Sequence, residues 1–169
     1  MADGSAHRQA GTAAWRCVPA VAALFLLSCD ARAQRAPDIA VGNGWAREVA
    51  PGQATAAVYL MIVNRGDGDD RLVDVETRAA AEAMLHSSSS ADGVARMRPI
   101  EGGLEIPARA RVELKPGGTH IMLEGLSRPL RAGQIVDVAL RFARSGRRPV
   151  AVRVVPAAAE EHPGHGMGR

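Results

Sequence analysis

In the segment LKPGGTHIML, residues 114–123, a histidine and a methionine stand two residues apart, His120 and Met122, with apolar Ile121 and Leu123 alternating with them. In an extended chain, residues i and i+2 point to the same side. One face of such a strand offers an imidazole nitrogen and a thioether sulfur, and the other face packs into a core. A second pair has the reverse order: Met84 precedes His86 by two residues, and Met97 lies between the pairs in VARMRPI. If His86 and Met97 come close to His120 and Met122, four soft-to-borderline donors converge. Such a set suits Cu(I), and it has no carboxylate or hydroxyl to favour Mg, Ca or Mn. Each residue alone is a weak signal. A Met on an apolar strand is usually core filler, so spacing by itself leaves open an interaction module that binds no metal.

The cysteines sharpen the choice of donors. Both Cys17 and Cys29 lie in the first 33 residues, and that stretch reads as a targeting segment. Arg8 and Arg16 make a basic beginning, and VPAVAALFLL, residues 18–27, is an apolar run shorter than a membrane span. Two processing sites compete. ARA at 31–33 fits ordinary cleavage after Ala33, and LLSC at 26–29 resembles a lipoprotein box with Cys29 as the lipid-bearing residue. In both cases the mature domain is exported, to the periplasm, and membrane attachment arises only through lipid on Cys29. After ordinary cleavage no thiol remains for a disulfide, a nucleophile or a metal, so a soft metal would be held by Met and His. Thioethers also escape loss to disulfide formation in an oxidising compartment.

The net charge is +3, and the one Lys, Lys115, is joined by Arg residues scattered along the chain. No basic run interleaves with aromatics, which excludes the usual nucleic-acid platform. No Ser/His/Asp arrangement has motif support, and blue-copper electron transfer needs a Cys ligand, so an enzyme is not expected.

The elements that must position these residues are strands. Apolar residues 56–63 sit between PGQ and NRGDGDD and read as a buried strand. Residues 71–77 alternate, with Val73 and Val75 on one face. IVDVALRF, residues 135–142, shows the clearest alternation, and residues 149–155 are expected to close a hairpin with it. Further short strands are expected near 39–41 and at 94–100, 104–106, 111–114 and 120–123. Residues 79–85 are open between a helical turn and a strand. Many short strands with regular turn signals indicate an all-β sandwich or barrel. The expected organisation is a signal segment at 1–33, one domain at 34–156 and a flexible tail at 157–169.

The combined pattern is similar to a known family. His86, ten residues, Met97, twenty-two residues, then His120-x-Met122 resembles the signature of PCuAC, the periplasmic copper chaperones that help copper reach cytochrome c oxidase. The phrases WAREVAPGQATAAVYLMIVN, DDRLVDVET, MRPIEGGLEIPA and ELKPGGTHIMLEGLSRPLRAGQ extend the likeness over about residues 43–155. The resemblance implies a cupredoxin-like β-sandwich with a Cu(I) site formed by His86, Met97, His120 and Met122. One departure is Ser87, in a run of four Ser, where many relatives carry an acidic residue. The implied partner is an assembling cytochrome c oxidase subunit or a thiol copper carrier. A copper storage or resistance protein without a dedicated recipient is the alternative. The tail HPGHGMGR adds His162, His165 and Met167: either incidental residues at a chain end or an auxiliary copper site, which imidazole would suit for Cu(II).

Overall fold

The computed structural model describes residues 36–91 and 94–158. Among them are ten strands and no helix: β1 Ile39–Arg47, β2 Thr55–Asn64, β3 Asp70–Thr77, β4 Ala80–Ala91, β5 Val94–Pro99, β6 Leu104–Ile106, β7 Arg111–Leu114, β8 Thr119–Leu126, β9 Ile135–Phe142 and β10 Gly146–Val155. The expectation of an all-β domain is borne out. Within residues 79–85, open between a helical turn and a strand, Ala80 onward is extended in β4, which pairs with β8 over residues 80–87 and with β5 over residues 86–91. The first strand runs well beyond residue 41 through a register irregularity between Gly42 and Trp45.

The strands form one hydrogen-bonded sheet in the order β5-β4-β8-β2-β1-β10-β9-β3-β6, with β7 also on β2. The sheet folds over, so that the inward side chains of β2, β4 and β8 meet those of β3, β9 and β10. Val58, Leu60, Ile62, Leu85, Ile121 and Leu123 from one side share a core with Leu72, Val75, Leu140, Phe142, Val152 and Val154 from the other. But for Phe142 this core is aliphatic, as a chain with 3% aromatics requires. β9 follows its alternation, with Val136, Val138, Leu140 and Phe142 all buried, and β10 returns beside it as the expected hairpin.

The expectation that Val73 and Val75 share a face is wrong. Leu72 pairs with Phe142 and Asp74 with Arg141, so Val73 is the extra residue of a bulge. The bulge moves parity by one: Leu72 and Val75 are buried, while Val73 is 41% exposed.

Two buried polar side chains hold the loops. Asn64 makes four bonds. Its amide nitrogen donates to the carbonyls of Gly68 and Ile106, and its oxygen accepts from the N–H groups of Asp38 and Gly66. Asp70 caps the β9–β10 turn: Oδ1 accepts from the Arg71 and Arg144 amides at 2.8 and 2.9 Å, and Oδ2 from the Ser145 amide at 2.9 Å. Among the described residues the ion pairs Arg71–Glu105, Arg109–Asp67, Arg141–Asp74 and Arg147–Glu76 are solvent-exposed and contribute little each.

Asp70 gives the fold an acid sensitivity. Burial pushes its carboxyl pKa up, but hydrogen bonds from Ser145, Arg71 and Arg144 outweigh burial and hold it below the usual carboxylate range. Its stabilisation is therefore complete above the unfolded value, about 3.9, and is lost as pH falls through the lower folded value. Chemical denaturation at a series of pH values should show the stability gap between wild type and Asp70→Asn narrowing below about pH 4. A gap that stays constant on acidification would contradict this role.

Candidate metal centre

The face of the sheet that points away from the core collects the histidines and methionines. β4 and β8 run antiparallel in a register that sets Met84 opposite Met122, Leu85 opposite Ile121 and His86 opposite His120. Leu85 and Ile121 are buried in the core, so their neighbours at even positions project outward. β5, the edge strand, pairs with the other side of β4, with Met97 opposite Ser88 and Pro99 opposite His86.

His86 is the hub of this arrangement. His120 is its direct cross-strand partner, with ring centroids 6.1 Å apart and planes at 78°. Met122 on β8 and Met97 on β5 are its two diagonal neighbours, positions whose spacing of about 7–8 Å long side chains can bridge. The register thus brings all three other expected residues around His86. It also adds Met84, which is the partner of Met122 and a diagonal neighbour of His120. Its spacing of two from His86 was the sequence signal for it.

The turn before β8 sets the state of His120. β7 and β8 are collinear: residues 111–114 and 121–124 both pair with β2, at 60–63 and 55–58 respectively. Residues between them leave the edge of β2 as a small loop, closed by the Lys115 N–H on the Thr119 carbonyl at 2.8 Å. Within it Gly118 N–H donates to the Lys115 carbonyl at 3.1 Å. With Pro116 second and Gly117 third at φ +71°, this is a type II turn. The turn fixes the Gly118 carbonyl, which accepts from Ser88 N–H and from His120 Nδ1, both at 3.1 Å.

A carbonyl can only accept, so His120 carries its proton on Nδ1. That leaves the Nε2 lone pair available, the orientation that metal-ligating histidines commonly gain from a backbone carbonyl. His120 is only 4% exposed, and its Nε2 is buried with no hydrogen-bond partner within the protein; the same is true of His86 Nδ1. Two buried nitrogens without partners on facing imidazoles are costly to leave bare and are suited to receive a cation. Among the described residues no three His, Cys, Asp or Glu side chains gather closely enough to hold a metal. The soft donors that the register sets beside the His pair are the thioethers of Met84, Met97 and Met122. Met97, on the sheet edge, is 48% exposed. His162, His165 and Met167 lie outside the described residues, as does the segment with Cys17 and Cys29.

Comparison with known proteins agrees with this fold. The family model "Putative lipoprotein LpqE-like" matches residues 39–154. The chain belongs to this family, a PCuAC-type group, and the resemblance seen in the sequence is borne out. A relative from Leifsonia xyli subsp. xyli, "Putative lipoprotein Lxx21020", is 35% identical over 127 residues, 75% of each chain. The solution structure of CuI-DR1885 from Deinococcus radiodurans superposes with a TM-score of 0.58 at 32% identity, covering 76% of this chain and 85% of that one. The copper-bound PCuAC domain from PmoF2 shares the fold, with a TM-score of 0.60 at 24% identity over 70% of this chain and 92% of that domain.

The turn is open to test. A Cβ on Gly117 would meet no atom within 4 Å, but φ is positive there; a Cβ on Gly118 makes only ordinary contacts to Lys115. Gly117→Ala is expected to cost about 1 kcal/mol of unfolding free energy through backbone strain, and Gly118→Ala much less. Equal effects in thermal denaturation would show that the turn conformation is not what matters.

Proposed function

We propose that this chain is an exported copper chaperone that holds Cu(I) at His86, Met97, His120 and Met122 and passes it to a copper-accepting protein. The observation that carries the reading is the pair of unpartnered imidazole nitrogens, His86 Nδ1 and His120 Nε2, on facing residues beside three methionines. The PCuAC-type family and the likeness to CuI-DR1885 support copper as the cargo.

Chemistry favours the cuprous ion. Neutral imidazoles and thioethers are soft to borderline donors, and they bring no charge that would retain a harder divalent ion. Chaperone action also needs release. Thioethers bind less tightly than thiolates, so a recipient with Cys ligands can draw copper away, and exposed Met97 on the edge strand is the ligand most open to displacement. The expected recipient is an assembling cytochrome c oxidase subunit or a thiol carrier. The role is carriage: only metal–ligand bonds form and break.

Export is supported by the lipoprotein descriptions of the family and of the Leifsonia relative, and it agrees with a targeting segment at residues 1–33 that ends in cleavage after Ala33 or in lipid on Cys29. The tail histidines His162 and His165, with Met167, would form an auxiliary site for Cu(II).

Titration with Cu(I) under a competing chelator tests the site. The wild-type chain should take one Cu(I) at the sheet face, and His120→Ala and Met122→Ala should each weaken it by at least about tenfold, the equivalent of 1.4 kcal/mol. Unchanged affinity in both variants would remove these residues from the site. A deletion strain separates delivery from storage: oxidase activity lost at low copper is expected, and sensitivity confined to high copper would contradict delivery.

A further inference from the structure

Four rings stand in a row across neighbouring strands β1, β2, β8 and β4. Trp45 and Tyr59 are directly paired in register, with centroids 4.5 Å apart and planes at 40°. Tyr59 lies 6.1 Å from His120, and His120 lies 6.1 Å from His86. The chain has one Tyr, and Trp45 is its only Trp outside the first 33 residues. Both therefore stand in line with the histidine pair, in a protein that uses almost no aromatics. Trp45 is 8% exposed, yet it is not part of the aliphatic core cluster, and neither is Tyr59.

The face beside this row is vulnerable to oxidation. A Met converted to its sulfoxide becomes polar and loses its soft sulfur donor, and Met97 is nearly half exposed. Cu(I) also reacts with peroxide. One copper, one hydrogen peroxide and one proton give Cu(II), water and a hydroxyl radical, and a radical born there would attack the nearest sulfur.

We propose that Tyr59 and Trp45 form an electron-donating relay that diverts one-electron oxidation from the methionines of this face; the proposal rests on the copper reading above. The hydroxyl radical takes the phenolic hydrogen of Tyr59, giving water and a tyrosyl radical. That radical regains a hydrogen atom from a small thiol, leaving a thiyl radical. Alternatively the oxidation falls first on Trp45, whose N–H hydrogen is lost; the indolyl radical takes the phenolic hydrogen of Tyr59, and the thiol then restores the phenol. In either route the protein returns to its starting state, and the thiol is the species oxidised.

The test uses the full chain carrying Trp15→Phe, so that Trp45 is the sole indole. Cu(I) stoichiometry is measured first, then limiting hydrogen peroxide is added without thiol and the products are located by peptide mass spectrometry. Oxidation is expected on Tyr59 and Trp45. Tyr59→Phe, which keeps the ring, should raise sulfoxide at Met97 and Met122 several-fold while stoichiometry is unchanged. Equal sulfoxide yields with and without the phenol would overturn the relay. A metal-free arm is independent of copper: azide radicals oxidise Trp45, and the radical should pass to Tyr59 at a rate independent of protein concentration. Transfer that occurs only between molecules would overturn the relay. Failure of the copper reading would appear separately, as a parent chain with no Cu(I) stoichiometry.

Discussion

The carbonyl oxygen of Gly118 joins the two strands that carry the histidines. It accepts the Ser88 N–H of β4 and the Nδ1–H of His120 on β8, so one atom serves both the strand pairing and the tautomer of the imidazole. It is in place because Pro116 and Gly117 make the type II turn and because Lys115 and Thr119 close the loop. A slip of β4 by one residue against β8 would turn His86 into the core and Leu85 out to solvent. The aliphatic core therefore enforces the register, and the register enforces the site.

This division of labour explains a composition that is otherwise odd. Strands β4 and β8 carry apolar residues on both faces, but of different kinds: branched aliphatics inward, and Met with His outward. Branched side chains suit a rigid core, whereas Met is flexible and polarizable, which suits a ligand that must bind and let go. Met97, nearly half exposed, extends the same logic to the sheet edge.

Much of the fold was legible because its signals were local. The alternation in 135–142, the Pro-Gly-Gly turn and the i, i+2 spacing of His120 and Met122 each required only neighbours in sequence. What was not legible depended on distant partners. The exposure of Val73 follows from a bulge that exists only against β9. The Ala-rich start of β4 has helix propensity and becomes a strand through pairing with β8. The collinearity of β7 and β8 along β2, and the four bonds of Asn64, likewise have no local signature. The neighbourhood of His86, Met97 and His120 also depends on partners distant in sequence: the register sets His120 opposite His86 and Met97 diagonal to it.

X-ray absorption on the Cu(I)-loaded protein tests the central claim most directly. The Met/His site predicts mixed ligation of the copper, with imidazole nitrogen and thioether sulfur both present, and loss of sulfur scattering when Met97 and Met122 are both replaced by Leu. A shell of nitrogen or oxygen alone, or one unaltered by those replacements, would contradict it.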